Sequence, residues 1–450
     1  MVQIRDLRED RDIRIETNPG GVRMRVYTRL LRIFIGVKEP RVKGRTTYRL
    51  DHLILMIFLS VLSGADSYQE MHLFWELRMR LYRRIFPMYG GSVPSHDCFR
   101  HILGLLEPSE LNRAMVRVLS DSYAPLRKAL KLPAPRYVHL CVDGKQLRGT
   151  GRALTDGGTS VKDLQSLNVY DNTSDICLFS SAIETKTNEI PTAQAVLGKM
   201  RLKGTVVTFD AMNTQKETVR VITSKKGDYV GGLKGNHGAL LAKAEGLFTK
   251  ERTEAMRAEA GDYLKTSEIS HNQLEEREFY MVRLTPSQRK GDFAGWEGIR
   301  SVVRYSKTCT GNIDGKVGRE VRHYISSLTD VEMNAAVIRG HWGVENRLHN
   351  GLDTVFMEDY ISDADRNAAM NRDAVCKACL SVTRRYQDIK GFKGQISKKA
   401  IRKMFGWDTE KILSEMLTLL DPKMIEECVS VVEKKAKKPN AKGAPEPAGK

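Results

Sequence analysis

Two short apolar runs, each followed by an aspartate, limit what this chain can fold into more than any other feature of its sequence. Apolar residues alternate with His139 and Cys141 in the run YVHLCV before Asp143, and the run TVVTF before Asp210 is built in the same way. This pattern predicts two β-strands, each delivering a carboxylate to an edge of a sheet. Helical patterns, TAQAVLGKM and TQKETVRVITSKKG, lie on either side of the second run. Strands joined by a crossover helix indicate a mixed α/β sheet.

A third acid, Glu345, lies in the segment IRGHWGVENRLHNGLD, which reads as a helix. His341, Glu345, His349 and Asp353 recur every four residues, so a continuous helix would place them along one face. The adjoining, buried face would carry Val344, Leu348 and Leu352. Eight residues of helix span about 12 Å, so the two histidines cannot share a zinc ion. We expect them to contact phosphate or to orient Glu345, unless they are merely solvated.

Three such acids can bind magnesium, because Mg²⁺ prefers hard oxygen ligands and two ions can clamp a phosphodiester between them. Asp143 would bridge both ions, and Asp210 and Glu345 would each hold one side. Mn²⁺ could substitute for Mg²⁺. An aspartate after a strand is more often a turn residue or a helix cap, so only the conjunction of the three acids favours a metal site. The alternative third acid is Glu358 or Asp359.

The net charge of +18 predicts a polyanionic partner, and nucleic acid is the leading one. The alternative is a generally basic surface without a specific partner. Lys145 and Arg148 follow Asp143 closely, and glycines around Lys234 permit close backbone approach to a phosphate. The helix in VPSHDCFRHILGLL exposes Arg100 and could enter a major groove, or could simply pack. The predicted DNA contacts are Lys145, Arg148, Lys234, His341, Asn346, Arg347, His349 and Arg100.

The seven cysteines are scattered, and the polar N-terminus has no apolar leader, which indicates a reducing cytoplasm without disulfides. Cys376 and Cys379 form CKAC, but no second pair at zinc spacing accompanies them, so we expect a helix that buries both. The longest apolar run, 53–65, is shorter than the roughly 18 residues needed to cross a bilayer. We therefore predict a buried core helix there and no membrane partner.

A chain of 450 residues should form more than one unit. Composition and periodicity predict a basic arm at 1–46, a helical and DNA-binding N-terminal domain at 47–132, and a catalytic α/β domain at 133–432. The tail 433–450 is rich in Lys, Pro, Ala and Gly and should be disordered. Strand patterns between Asp210 and Glu345 predict a β-rich insertion at about 250–328.

The sequence contains further strand patterns, a turn signal and a helix-cap signal. DLQSLNVYDN, DICLFSSAIET and DYVGGLKGN read as further strands, and so do DYLKTSEI, REFYMVRL, IRSVVRYSKT and REVRHYISSL in the insertion. Asp314 and Gly315 form a hairpin turn signal between the last two. Thr329 and Glu332 are spaced as a capping box for the helix that follows.

These segments together resemble the bacterial insertion-sequence transposases of the DDE class, in the branch that contains the H-repeat-associated proteins. The motifs VPSHDCFRHIL, VDGKQLRG, KTNEIP, TFDAMNTQK, DYVGGLKGN and HWGVENRLHNGLDTVFMED follow in family order. The resemblance runs from about residue 50 to residue 386 and implies a ribonuclease H-like catalytic domain with a β-rich insertion. It also implies that Asp143, Asp210 and Glu345 are the acidic triad.

The activity implied is cleavage of DNA at terminal inverted repeats and joining of the 3′-hydroxyl ends to a target, by a bacterial, cytoplasmic, nucleoid-associated protein. Pairing of two DNA ends implies a homodimer or a larger complex. Thr214, His237 and Asn350 depart from the residues usual in the family. An Arg and a Lys that flank the catalytic Glu in the wider group are His341 and Leu352 here. Rival hypotheses are an inactive DNA-binding protein derived from a transposase and a host nuclease of the same fold.

Overall fold

The protein is described by a computed structural model. The residues that it describes are 19–151, 162–183, 188–259, 261–270, 273–311, 317–360, 363, 365–408, 415, 418 and 419–425. The turn at Asp314 and Gly315 and the tail 433–450 lie outside the described residues, as does the first part of the basic arm.

One large mixed sheet organises the described residues, as the sequence predicts. Its strands are β1 Val138–Leu147, β2 Leu164–Asp171, β3 Ile176–Ile183, β4 Thr205–Phe209, β5 Asp228–Leu233, β6 Tyr263–Ser270, β7 Gln273–Arg283, β8 Ser301–Gly311 and β9 Val317–Ser326. The strand order is β3-β2-β1-β4-β5-β9-β8-β7-β6. β4 pairs in parallel with β1 on one side and with β5 on the other, and the other neighbours are antiparallel.

The strands of the predicted insertion belong to the same sheet as β1 to β5. The last strand of the insertion, β9, pairs with β5 through Val230–Ser326 and the following positions, so that β6 to β9 extend the sheet that carries the two aspartates. The alternation in the sequence correctly predicts all four strands. It could not predict the pairing of β5 with β9, because strand partners far apart in the chain leave no local signal.

Helices surround the sheet. They are α1 Pro19–Phe34, α2 Leu50–Leu62, α3 Tyr68–Leu77, α4 Met79–Ile85, α5 His96–Leu105, α6 Pro108–Ala129, α7 Glu189–Lys199, α8 Lys216–Ser224, α9 Gly238–Gly246, α10 Lys250–Ala258, α11 Pro286–Lys290, α12 Val331–Gly343, α13 Asn350–Val355, α14 Arg366–Ile389 and α15 Lys398–Trp407. Short 3₁₀ turns lie at Pro87–Tyr89, Gly235–His237 and Glu358–Tyr360, and a π-helical turn at Val344–His349 joins α12 to α13.

Polar side chains cap several of these helices. The Ser67 side chain and Glu70 form a capping box on α3, and Ser95 accepts a hydrogen bond from the Cys98 amide at the start of α5. The predicted cap of α12 is wrong by one position, because Asp330 accepts from the Met333 amide in place of Thr329. Aspartate and threonine are both good N-caps, so their adjacency leaves the choice to tertiary structure.

Both faces of the sheet are covered. α7 and α8 pack on one face against a core that includes Leu140, Val142 and Phe209. The opposite face of β1 to β3 meets the N-terminal helices and α14 in a second core. α12 lies over the centre of the sheet in a third core, which includes Val206 and Ile338. The end of α12 is thereby held near the point where β1 and β4 run side by side.

The N-terminal helices share their core with the C-terminal ones. α2, α5 and α6 all contact α14, and α6 also contacts β3. α2 is buried over its whole length, as predicted, and Cys376 and Cys379 are buried in α14. Part of the predicted arm is a helix, since α1 buries Leu30 and Phe34 against this core. No helix within the described ranges has the length and apolar character needed to cross a membrane.

Candidate active site

Asp143 and Asp210 are brought together by the parallel pairing of β1 and β4. The last paired positions are Val142 and Phe209, so each aspartate lies one residue beyond them on neighbouring strands. Adjacent strands are about 5 Å apart, which makes the two carboxylates neighbours. Asp143 is not at the end of its strand, contrary to the sequence prediction, because β1 continues to Leu147 in pairing with β2. β4 ends at Phe209, so its pairing with β1 stops at Val142, directly before Asp143.

Glu345 reaches the same place from the π-helical turn. Two glycines let α12 lie close to the sheet: a Cβ on Gly340 would be 2.7 Å from the His139 ring, and one on Gly343 would overlap the Asn172 side chain. The continuous α-helix predicted here is wrong, because 344–349 form a π-helix. Such turns often occur at functional sites, where they change the direction of a side chain.

The carboxylates of Asp143 and Glu345 meet at His349. His349 Nδ1 lies 3.4 Å from Glu345 Oε2 and 3.8 Å from Asp143 Oδ2. One ligand atom from each of the three residues lies within 4.8 Å of the other two. Glu345 is 59% exposed, whereas His349 is 7% exposed. Val344, Leu348 and Leu352 are buried on the adjoining face, as predicted.

Burial and repulsion between acids govern the protonation of this cluster. Desolvation, followed by the charges of Glu345, Asp210 and Glu189, raises the pKa of Asp143 to about 8. The hydrogen bond from His349 lowers the pKa of Glu345. Burial lowers the pKa of His349. Repulsion among acids at one point is what a divalent cation would relieve, because a nearby positive charge favours the ionised carboxylate.

Glu189 and Asn213 lie beside the two aspartates, and neither was predicted as a site residue. Glu189 is buried at the start of α7, and a Cβ on Gly144 would lie 2.8 Å from its Oε2 atom. Asn213 donates to Glu189 Oε1 at 2.7 Å, and its backbone amide donates to Asp210 Oδ1 at 3.0 Å. Glu189 belongs to the motif KTNEIP, so its position in a family motif was the only available signal.

Thr208 connects the sheet to α12 beside the acids. Its hydroxyl lies 2.9 Å from His139 Nε2 and 2.9 Å from His341 Nδ1. Burial lowers the pKa of His139 to about 3 and that of His341 to about 4, so both rings are neutral. His341 therefore packs against β4, and it does not contact Glu345 through a hydrogen bond within the described residues.

Lys145 was predicted to contact DNA, and its side chain is buried in the structure. Its side chain is 6% exposed, and Nζ lies 2.6 Å from Asp353 Oδ1 and 3.3 Å from Glu358 Oε2. These ion pairs connect β1, two residues beyond Asp143, to Asp353 on α13 and to Glu358 in the 3₁₀ turn that follows α13. Glu358, an alternative third acid, is therefore a buried partner of Lys145, and the other alternative, Asp359, pairs with Arg148 at 3.5 Å.

The remaining predicted contacts lie in two regions. Arg148, Lys234, Asn346 and Arg347 are exposed on the elements that carry the acids or next to them. Lys234 follows β5 and borders a cleft of about 450 Å³, which is also lined by Asp210, Arg322 and Trp342. Arg100 is exposed on α5, which packs against α3 and α14 and is not part of the acidic site.

The chain is similar to known protein families and to individual known proteins. Residues 31–118 match the model of the DDE_Tnp_1-associated family, and residues 134–379 match that of the transposase DDE domain. "Putative transposase YncI" of Escherichia coli O157:H7 is 26% identical over 357 residues, which are 79% of this chain and 87% of that protein.

Further relatives and a solved structure are also similar. "H repeat-associated putative transposase YhhI" of Escherichia coli K12 is 26% identical over 336 residues, covering 74% of this chain and 84% of that protein. A piggyBac transposase synaptic complex with hairpin DNA is 14% identical with a TM-score of 0.37, covering 94% of this chain and 83% of that chain. That score is too low to carry a structural inference.

Proposed function

The chain belongs to the transposase DDE domain family, and from this premise we propose that it cleaves DNA at terminal inverted repeats and joins the 3′-hydroxyl ends to target DNA. The observation that carries the proposal is the meeting of Asp143 and Glu345 at His349, with Asp210 directly after the strand that pairs with β1. The net charge of +18 supports DNA as the substrate, since basic side chains neutralise phosphates and release counterions.

The three acids fit a site for divalent cations. A ligand atom of Glu345 lies within 4.8 Å of one of Asp143, and Asp210 directly follows the strand that pairs with β1, so Asp143 would contribute to both ions and Asp210 and Glu345 to one each. Two bound Mg²⁺ ions, or Mn²⁺ in their place, would activate the attacking hydroxyl and stabilise the leaving oxygen. Oxygen donors of this kind match the preference of both ions.

The surrounding residues would prepare the acids for that role. Asn213 fixes the Asp210 carboxylate through its backbone amide, so this ligand is oriented before DNA arrives. His349 holds Glu345 close to Asp143 despite the exposure of the Glu345 side chain. Lys145 anchors α13 to β1 through Asp353, which restrains the turn that carries Glu345. Preorganisation of this kind lowers the cost of assembling the site around each phosphodiester.

A ribonuclease H-like architecture is part of the proposal. The order β3-β2-β1-β4-β5, with β1 to β3 antiparallel and β4 and β5 parallel to β1, supports it. The N-terminal helices would bind DNA, and two copies or more would pair the two ends. Exposed Lys234, Arg347 and Arg148 would position the phosphate backbone near the acids. The protein would act on the bacterial chromosome, in the cytoplasm.

A cleavage assay on the DNA that flanks the gene tests the proposal. Duplexes carrying its inverted repeats should be nicked at the repeat ends with Mg²⁺ and not with EDTA. Asp143→Asn should reduce the rate at least a thousandfold while changing DNA affinity little, because the lost carboxylate binds the ion and not the phosphate backbone. Glu332→Gln, an exposed acid in the first turn of α12, is the matched control and should cleave normally.

The outcome also separates the rival hypotheses. Binding of the repeats without cleavage under any divalent ion would identify an inactive DNA-binding descendant. Cleavage without joining of the 3′-hydroxyl ends, and without preference for the repeats, would identify a nuclease. Undiminished cleavage by Asp143→Asn would remove the acidic cluster as the site of reaction.

A further inference from the structure

His349 lies between the carboxylates of Asp143 and Glu345, whereas the sequence predicted only that it would orient Glu345 or contact phosphate. It ends the π-helical turn, is 5% exposed, and directs Nδ1 toward Glu345 Oε2 at 3.4 Å and Asp143 Oδ2 at 3.8 Å. Ligand atoms about 2.1 Å from one octahedral ion are about 3 Å apart. The nitrogen is therefore roughly 0.4 Å farther from the Glu345 oxygen and roughly 0.8 Å farther from the Asp143 oxygen than two ligands of a single ion would be, and all three atoms lie within 4.8 Å of one another.

The other ring nitrogen shows that the protein does not fix the proton of this imidazole. Within the described residues His349 Nε2 is buried and has no hydrogen-bond partner. A partner on one ring nitrogen usually sets whether the other nitrogen is protonated or bound to a metal. Without that partner, Nδ1 can carry the proton toward Glu345 or can present a lone pair to a cation.

We propose that His349 Nδ1 is a ligand of the divalent ion held by Asp143 and Glu345, which makes this position a mixed nitrogen and oxygen site. The inference rests on the proposed function, because it assumes that the two acids bind a metal. It adds a ligand that the three-acid prediction does not contain. It also assigns a purpose to the π-helical turn, which presents Glu345 and His349 to the same point.

A nitrogen ligand changes which ion binds best. Mg²⁺ is bound by oxygen donors and binds imidazole poorly, whereas imidazole is a good ligand for later first-row ions. Mn²⁺ is a hard ion that also accepts nitrogen, so His349 should favour Mn²⁺ over Mg²⁺ at this position. Loss of the ring should then weaken Mn²⁺ binding by roughly tenfold and Mg²⁺ binding by about twofold.

Pulsed electron paramagnetic resonance of the full-length protein with bound Mn²⁺ tests the assignment without relying on activity. A histidine nitrogen bound to Mn²⁺ gives a ¹⁴N modulation, which changes to the ¹⁵N pattern when histidine is isotopically labelled. The modulation should be present in the wild type and absent in His349→Gln. His101→Gln, a change at an exposed histidine on α5, should retain it. Labelling of the wild type keeps the test valid if the His349 variant folds poorly.

Each outcome has a distinct meaning. Mn²⁺ that binds in an Asp143-dependent manner without a histidine modulation would overturn the inference and leave the proposed function intact, with His349 acting only as a donor to Glu345. A modulation that survives in His349→Gln would also overturn it. Mn²⁺ binding that is equally strong in Asp143→Asn would contradict the proposed metal site itself.

Discussion

At the scale of single residues, burial and the neighbouring acids oppose the ionisation of Asp143. Its pKa of about 8 means that the folded, metal-free protein keeps a proton that the unfolded chain releases near pH 4. The folded state therefore binds more protons between about pH 4 and pH 8, and its stability falls as the pH rises through that range. The cause is burial beside Glu345, Asp210 and Glu189.

Asp143→Asn should therefore stabilise the metal-free protein at high pH. Asparagine keeps the shape of the protonated acid and cannot ionise, so its advantage should grow by roughly 3 to 4 kcal/mol between pH 5 and pH 8. Urea denaturation in EDTA at both pH values measures this difference. An advantage that does not grow between pH 5 and pH 8 would show that Asp143 ionises without cost.

Lys145 lies on β1 and Arg148 directly follows this strand, yet we expect their substitutions to change the stability of the protein by different amounts. Lys145→Met leaves Glu358 and Asp353 without their partner, which should cost about 3 kcal/mol of stability. Arg148→Ala removes a side chain that is 71% exposed, and should change stability by less than about 0.5 kcal/mol while weakening DNA binding. Urea denaturation measures the change in stability of each variant, and a DNA-binding isotherm measures the change in its affinity for DNA. Equal stability losses would contradict the structural role of Lys145.

The three acids were predicted from the sequence because acids after strand patterns and in family motifs are local signals, and their role in a metal site stays a prediction. The sequence did not predict Glu189, the burial of Lys145 or the contact of His349 with Asp143. The contacts of these residues depend on where α7, α13 and the π-helical turn pack, and periodicity carries no information on that. The burial of Lys145 has a physical reason that the sequence does not show, because its partners Asp353 and Glu358 lie more than 200 residues farther along the chain.

At the scale of elements, the position of Glu345 depends on the approach of α12 to the sheet. Gly343→Ala would push the end of α12 away from the Asn172 side chain and should cost about 2 kcal/mol. Because the π-helical turn follows directly, Mn²⁺ affinity should fall as well. Isothermal titration with Mn²⁺ and urea denaturation measure the two effects.

The cause of that loss can be isolated with two further variants. Asn172→Ala should partly restore Mn²⁺ binding in Gly343→Ala, because it removes the atoms that the new methyl group would meet. Gly238→Ala is the matched control, since a Cβ on this helical glycine meets nothing within 4 Å. A loss in Gly343→Ala that Asn172→Ala does not relieve would exclude this contact as the reason for the glycine.

Elements with strong periodicity were predicted well, including α2, β1, β4 and the four strands of the insertion. The π-helical turn was not predicted, because a single turn of different pitch changes the spacing of the apolar residues too little to be detected in the sequence. α1 was missed because arginines hide the apolar stripe that buries Leu30 and Phe34. In both cases tertiary packing, not local propensity, decides the conformation.

At the scale of the whole molecule, the helices before residue 132 and α14 form one core. The boundaries 47–132 and 133–432 remain a proposal about the organisation of the chain. A fragment of 133–432 would expose the surfaces of α14 and β3 that α2, α5 and α6 cover. We expect it to be insoluble or to lack a cooperative thermal transition, whereas the full chain unfolds cooperatively. A soluble fragment with a sharp transition would establish an independent catalytic domain.

The convergence of three acids from distant parts of one sheet and one helix is the claim on which the function depends. Anomalous diffraction from crystals soaked in Mn²⁺ locates the ions directly. Peaks should lie within coordination distance, about 2.2 Å, of carboxylate oxygens of Asp143, Asp210 and Glu345, and should disappear in Asp143→Asn. Mn²⁺ peaks that avoid these carboxylates, or that persist unchanged in Asp143→Asn, would contradict a metal centre built by the three acids.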